Sequence, residues 1–315
     1  MRLQRVTIDW VRRHLKISHL ILILAALLSG PTQAAVRSES LKVINSGVAF
    51  PEGPIFAAGI LYYVAYGGPS VIAWDGNANR VVFDEKTCGA TSVTTLGQDL
   101  LVSCYDSSEI VRISTNGDVL NRVGKDSAGD VIRGPNDMTP DGQGGVYLTG
   151  SGSSDTSVID GKVYRVGPDM NVRVVARDIH FANGIAVSPD GETLLVSESE
   201  AQRVIAFGRR GDGTLGDRRV FTRLNQVDPG AGVDAYPDGI EFGPDGRVWI
   251  AQYSRSRVSV VSSDGSELIK TYELPGEACP NLAFTPDGKS VILMVVYDKK
   301  NPPFNGTVYQ MPINE

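Results

Sequence analysis

The chain of 315 residues holds three histidines, and two of them, His14 and His19, fall in a basic and apolar N-terminal stretch. Beyond it only His180 remains. A single imidazole excludes multi-histidine metal sites and histidine dyads. A Ser-His-Asp triad would have to use His180, yet no Gly-x-Ser-x-Gly elbow occurs. Cysteine is as scarce: Cys88, Cys104 and Cys279 show no Cys-x-x-Cys spacing, which argues against a thiolate zinc site. They read as buried thiols, or as one pair plus a leftover thiol, with the pairing unassigned. Helix-period stretches of useful length are missing after the N-terminal region, and no apolar run reaches the roughly 20 residues of a membrane-spanning helix. Proton transfer at neutral pH therefore falls to a carboxylate.

The N-terminal stretch is net basic, unlike the rest of the chain. Arg2, Arg5, Arg12, Arg13 and Lys16 precede the run LILILAALL and a Thr-Gln-Ala site, the pattern of an export signal (1–34) cut after Ala34. Removing its net charge of +4 from −6 leaves −10 on residues 35–315. That balance opposes nucleic acid, whose binding depends on Lys and Arg neutralising phosphates, and it disfavours an anionic membrane surface. The expected protein is exported, to a periplasm or a secreted location, and has no membrane span once the signal is removed. Its oligomeric state is not encoded in any pattern.

What the sequence does contain is a repeat. EGPIFAAGILYYV, NDMTPDGQGGVYLTG, NGIAVSPDGETLLVSE, DGIEFGPDGRVWIAQ and NLAFTPDGKSVILMV each read as a strand, a tight turn and a second strand, and one or two further strands follow each. A weaker copy, TSVTTLGQDLLVSCYDSSEIVRIS, fits between the first and the second. The spacing of about 40 to 50 residues is that of a four-stranded propeller blade. The fold class is thus all-β, and residues 35–315 are expected to form a single six-bladed β-propeller. The strand LKVIN, Leu41 to Asn45, is placed to complete the last blade and close the ring.

In such a ring the first strand of each blade lines the central channel, and the residue opening it stands at one mouth. The openers are Glu52, Thr91, Asn136, Asn183 and Asp238. Four carry a carboxylate or amide oxygen at matched positions, which points to a shared ligand. Oxygen donors without histidine or thiolate indicate a hard cation, Ca²⁺ first, with Mn²⁺, Mg²⁺ and Zn²⁺ as alternatives. In the sixth copy Asn281 stands about one residue out of register and is not counted. Asp238 is expected to be both ligand and base, with Glu52 and Asn183 as ligands. Asn136 would hold a substrate oxygen. Asp137 follows an opener, so strand alternation turns it into the blade, and it stays a secondary candidate for the substrate site.

These residues also carry a resemblance. Glu52-Gly53-Pro54 with Phe56, Pro135-Asn136-Asp137, Asn183-Gly184-Ile185 with Ser188-Pro189-Asp190-Gly191, and Asp238-Gly239 with Trp249 resemble the regucalcin/gluconolactonase (senescence-marker-protein) family over about residues 41 to 311. The resemblance implies a six-bladed propeller that opens lactones with one divalent cation. It implies Glu52, Asn183 and Asp238 as metal ligands and Asn136 as a contact to substrate or metal. One departure matters: animal members carry an arginine two residues before that asparagine, and here the place is Gly134, with Arg133 one residue earlier. Hydrophobic or simple lactones are therefore expected to be better substrates than sugar lactones.

The longest irregular segments, KDSAGDVIRGP, GSGSSDTSVIDG, RLNQVDPGAGVDAYP and YDKKNPPFNG, are expected on the same face as the openers. With their neighbours they would bring Arg133, His180, Phe181, Tyr236 and Phe304 to a small-molecule pocket. Two other readings use the same residues: a propeller that binds ligand or protein around a structural cation, and a strictosidine-synthase-like propeller, against which the oxygen-bearing openers count.

Overall fold

A computed structural model describes residues 41–313, with 154 and 156 excepted. The export signal expected at residues 1–34 lies outside the described residues. The first strand, β1 (Lys42–Ala49), belongs to the last blade. The first blade is β2 (Pro51–Ala57), β3 (Ile60–Ala65), β4 (Val71–Trp74) and β5 (Asn79–Phe83), and the second is β6 (Ala90–Leu96), β7 (Asp99–Cys104), β8 (Glu109–Ile113) and β9 (Val119–Val123). The third is β10 (Pro135–Pro140), β11 (Val146–Gly150), β12 (Gly161–Val166) and β13 (Val172–Ile179). The fourth comprises β14 (Ala182–Val187), β15 (Thr193–Glu198), β16 (Arg203–Arg209) and β17 (Leu215–Arg223), the fifth β18 (Pro237–Phe242), β19 (Val248–Gln252), β20 (Arg257–Val261) and β21 (Leu268–Glu273). The sixth is built from β22 (Leu282–Phe284), β23 (Ser290–Val296), β24 (Asn305–Pro312) and the returning β1, so the six-bladed propeller and the ring closure expected from the repeat are present.

In the third to sixth blades the repeated Pro-Asp-Gly closes the first hairpin through its own polar groups. In the fourth blade Gly191 N–H donates to Ser188 C=O at 2.8 Å and Glu192 N–H to Asp190 Oδ1 at 2.9 Å. Between blades the second and third strands pack face to face. Apolar clusters occupy all six junctions, such as Tyr147, Val163 and Ile179 against Ile185, Leu194 and Val196. Each fully buried aliphatic side chain contributes roughly 1.5–3 kcal/mol. The closing strand is also clasped by a polar chain: Asn45 Nδ2 donates to Tyr63 Oη at 2.6 Å, and Tyr63 Oη donates to Asn79 Oδ1 at 2.8 Å.

Two of the cysteines are not thiols. Cys88 and Cys104 form a disulfide with a Cα–Cα distance of 4.4 Å, whereas Cys279 is a buried free thiol. The pairing is invisible in the spacing because it depends on β6 and β7 lying side by side, with Ala90 opposite Cys104. Among the described residues no helix is long and apolar enough to cross a membrane.

Candidate active site at the channel mouth

Regular pleating would send alternate residues of an inner strand into the blade. The openers escape this because each adjoins a bulge. Pro135 pairs with Gly150 and Met138 with Leu148, so Asn136 and Asp137 together oppose one residue. The same shift lies between Ala182 and Ile185, between Pro237 and Ile240, and between Glu52 and Ile55, with a shift at Thr91 in the second blade. A bulge re-aims side chains at the cost of a ladder hydrogen bond. Here hydroxyls of the preceding blade replace the lost donors. Ser103 Oγ donates to the Asn136 carbonyl at 2.6 Å, Thr149 Oγ1 to that of Asn183 at 2.7 Å, and Ser197 Oγ to that of Asp238 at 2.7 Å.

The glycine that follows an opener has its own reason. A Cβ on Gly184 would stand 2.0 Å from the Asp238 carbonyl oxygen, so the fourth and fifth blades approach this closely only because it is missing. The third blade has Asp137 in that place. Its carboxylate accepts from Met138 N–H at 2.9 Å and also faces Ile185 N–H and the Asn281 amide, and Asp137 is not among the cavity-lining residues.

Glu52, Thr91, Asn136, Asn183 and Asp238 form the floor of a cavity of about 860 Å³, a usual size for a small-molecule site. All five are buried. Asn281, left out on register, is buried as well, and its amide lies against Glu52 and Asp137. No bulge adjoins it: its carbonyl accepts from Met294 N–H at 3.0 Å and Leu282 pairs directly with Leu293, so one residue fewer separates it from the next turn. Phe181, Tyr236 and Phe304 line the cavity as expected. Arg133 does not: it follows the loop to a separate cleft of about 270 Å³, 3.8 Å from Asp160, on the far side of a left-handed turn at Gly134 (φ +53°). His180 is not among the cavity-lining residues; its N–H donates to Glu198 Oε1 at 2.9 Å, and the chain presents Phe181 instead.

The rim repeats a backbone device. In five blades the carbonyl two residues before the opener accepts from the N–H of the residue that follows the second strand: Phe50 from Tyr66, Gly89 from Tyr105, Gly134 from Ser151, Phe181 from Ser199 and Tyr236 from Tyr253. Most of these paired residues line the cavity wall. Sequence reading reached Phe181 and Tyr236 but missed the rest of this second row, and also Ser103, Thr149 and Ser197. Its signal was the Ser or Thr near the end of VSC, LTGS and VSES, at one place in successive copies.

The floor concentrates negative charge. Burial, and then the charge of Asp137, push the Glu52 carboxyl up to about 8 against the opposing Gly53 N–H. Burial and then the charges of Glu52 and Asp137 raise Asp238 well above the carboxylate range, with the Asn183 amide opposing. Asp137 is raised to about 6 and Glu241, further down the channel wall, to about 8, both chiefly by burial. Among the described residues no lysine or arginine pairs with any of these four. Nor do three His, Cys, Asp or Glu side chains come together there as a metal-holding group. The donor set is instead two carboxylates with amide oxygens, and its unpaired carboxylates and all-oxygen chemistry fit a hard cation.

Comparison with known proteins gives this arrangement a family. The sequence model described as SMP-30/gluconolactonase/LRE-like region matches residues 50–295. Regucalcin of Xenopus laevis is 25% identical over 289 residues, spanning 85% of this chain and 92% of that protein. A pentonolactonase of Haloferax volcanii is 24% identical over 249 residues, 77% of this chain and 80% of its own. A solved gluconolactonase from Xanthomonas campestris shares the fold with a TM-score of 0.69 at 24% identity, covering 87% of this chain and 89% of its own. With most of the propeller matched from the first blade to the sixth, the chain belongs to the SMP-30/gluconolactonase/LRE-like family.

Proposed function

We propose that the protein is a cation-dependent hydrolase that opens a lactone or related ester. The observation that carries this reading is the set of buried carboxylates and amides aimed by matched bulges at one cavity floor, with no lysine or arginine paired to them among the described residues. Glu52, Asn183 and Asp238 would hold the cation, Ca²⁺ in the first instance. When bound, it would supply an electrophile for the ester carbonyl.

The chain supplies the rest. Asp238, buried at the cavity floor, takes a proton from water as the water oxygen attacks the carbonyl carbon. The ring C–O bond then breaks, and the proton passes to the leaving alkoxide to give the hydroxy acid. Asn136 Nδ2 donates to Ser151 Oγ at 2.9 Å, which fixes the amide so that its remaining groups meet the substrate. The names of the pentonolactonase and gluconolactonase relatives support a lactone as substrate class. Gly134 and the outward course of Arg133 favour hydrophobic or simple lactones over polyhydroxylated ones. The buried Cys88–Cys104 disulfide supports export to an oxidising compartment.

The test is elemental analysis of the purified protein followed by a pH-drop assay on aliphatic and sugar lactones. Turnover that tracks cation content supports the hydrolase. A fully loaded protein that opens no lactone or ester favours a binding propeller whose cation is structural.

A further inference from the structure

The rim holds a pattern that the chemistry at the floor does not require. Two residues before the opener, four blades place the backbone in the left-handed region: Phe50 (φ 55°), Gly89 (φ 55°), Gly134 (φ 53°) and Phe181 (φ 59°). Glycine adopts this conformation without steric penalty, whereas a bulky side chain there is strained. The second and third blades use glycine. The first and fourth hold a phenylalanine in the same strained place, and both rings line the cavity. A third strained phenylalanine, Phe304 (φ 56°), lines it too, and its carbonyl accepts from Phe50 N–H at 2.8 Å. Strain of this kind persists where the surroundings hold it and where the side chain has a task.

The rings also form a surface. Phe50 lies 5.9 Å from Tyr66, 6.1 Å from Phe304 and 6.3 Å from Tyr253, measured between centroids, and all four face the cavity. Where the glycine stands in the third blade, a Cβ would come within 3.0 Å of the Tyr105 ring, so the missing side chain makes room for another aromatic on the wall. This arc runs from the fifth blade through the sixth and first to the second, with Phe181 across the cavity in the fourth. The phenylalanine faces offer the hydroxyls of a polyhydroxylated ring no partner. A flat apolar group would be covered on its faces.

We propose that Phe50, Phe181 and Phe304 are specificity residues for a lactone or ester that bears an aryl or similarly flat apolar substituent, held on this arc while its ester group lies over the floor. The proposal deepens the hydrolase reading and rests on it for the fate of the ligand, though not for its binding.

Two measurements separate the two claims. The first is kcat/KM for γ-phenyl-γ-butyrolactone over that for γ-butyrolactone, in the parent and in Phe50→Gly and Phe181→Gly, which relieve the backbone while removing the ring. The parent ratio is expected to exceed one by roughly 10- to 100-fold, and each variant should lose about tenfold of it. A ratio near one in the parent, or one unchanged in both variants, overturns the proposal even if every lactone is hydrolysed. General damage to the fold lowers both rates and does not mimic a fall in the ratio.

The second measurement needs no turnover: calorimetric binding of 5-phenyl-2-pyrrolidinone against 2-pyrrolidinone, lactams with the same skeletons. Preference for the phenyl lactam that falls in both variants supports the proposal, even in a protein that hydrolyses nothing, in which case only the hydrolase reading fails. Equal binding of the two lactams by the parent overturns it.

Discussion

Glu52 shows how much one residue of this chain carries and how its role can be tested. Wedged between Pro51 and Gly53, it makes no sense as a strand former, and as a channel-mouth carboxylate it does. Glu52→Gln keeps the shape but removes a full charge from an oxygen site whose affinity follows ligand charge, so cation affinity should fall by at least about tenfold in a calorimetric titration. Unchanged affinity would take Glu52 out of the site. Its titration gives a second prediction. In the unfolded chain Glu52 loses its proton near 4.5, and in the folded protein near 8, so the folded state binds more protons across that window. Stability of the cation-free protein must therefore fall as pH rises from about 4.5 to about 8. Glu241, raised in the same direction, adds to the fall. Thermal unfolding of chelated protein should show a lower midpoint at pH 8 than at pH 5, with added cation recovering more at pH 8. A midpoint that rises over this range in chelated protein contradicts the charge balance drawn here. Most of the floor was legible at this scale because Glu52, Asn136, Asn183 and Asp238 share a place in the repeat. Asp137 and Asn281 were harder to place, the first because a bulge overrides alternation, the second because its strand enters the blade without one.

Elements explain why those side chains converge. The inner strands β2, β6, β10, β14 and β18 all break register beside the opener, and three of the freed carbonyls are held by a hydroxyl from the preceding blade. Sequence repeats announced the strands and turns, but a bulge is a relation between two strands and has no local signature. The hydroxyls follow from it. Ser197→Ala would leave the Asp238 carbonyl buried without its donor, a loss of about 1–3 kcal/mol in chemical denaturation. It should also weaken cation binding by loosening the aim of Asp238. Ser197→Thr should restore both, since Thr149 performs the same task one blade earlier. If Ser197→Ala lowers stability while cation affinity stays at the parental value, Ser197 supports the fold without positioning Asp238.

At the scale of the whole molecule, ring closure was readable in LKVIN because a propeller of complete blades needs one strand from the far end of the chain. The disulfide and the aromatic arc were not readable: the first needs β6 and β7 side by side within the second blade, and the second assembles only when neighbouring blades are in place. The ring holds its openers at one mouth and leaves the rim free to vary, so charge at the floor and apolar surface at the rim coexist in one cavity. The central claim is that Asp238 turns the charged floor into a hydrolytic site. It is tested most directly by the lactone hydrolysis rate of Asp238→Asn with cation occupancy restored by excess metal and folding matched to the parent. The substitution keeps an oxygen donor and the side-chain shape while removing the basicity, so the rate should fall by about 10² to 10⁴. A restored variant that hydrolyses its best lactone at the parental rate would contradict the account.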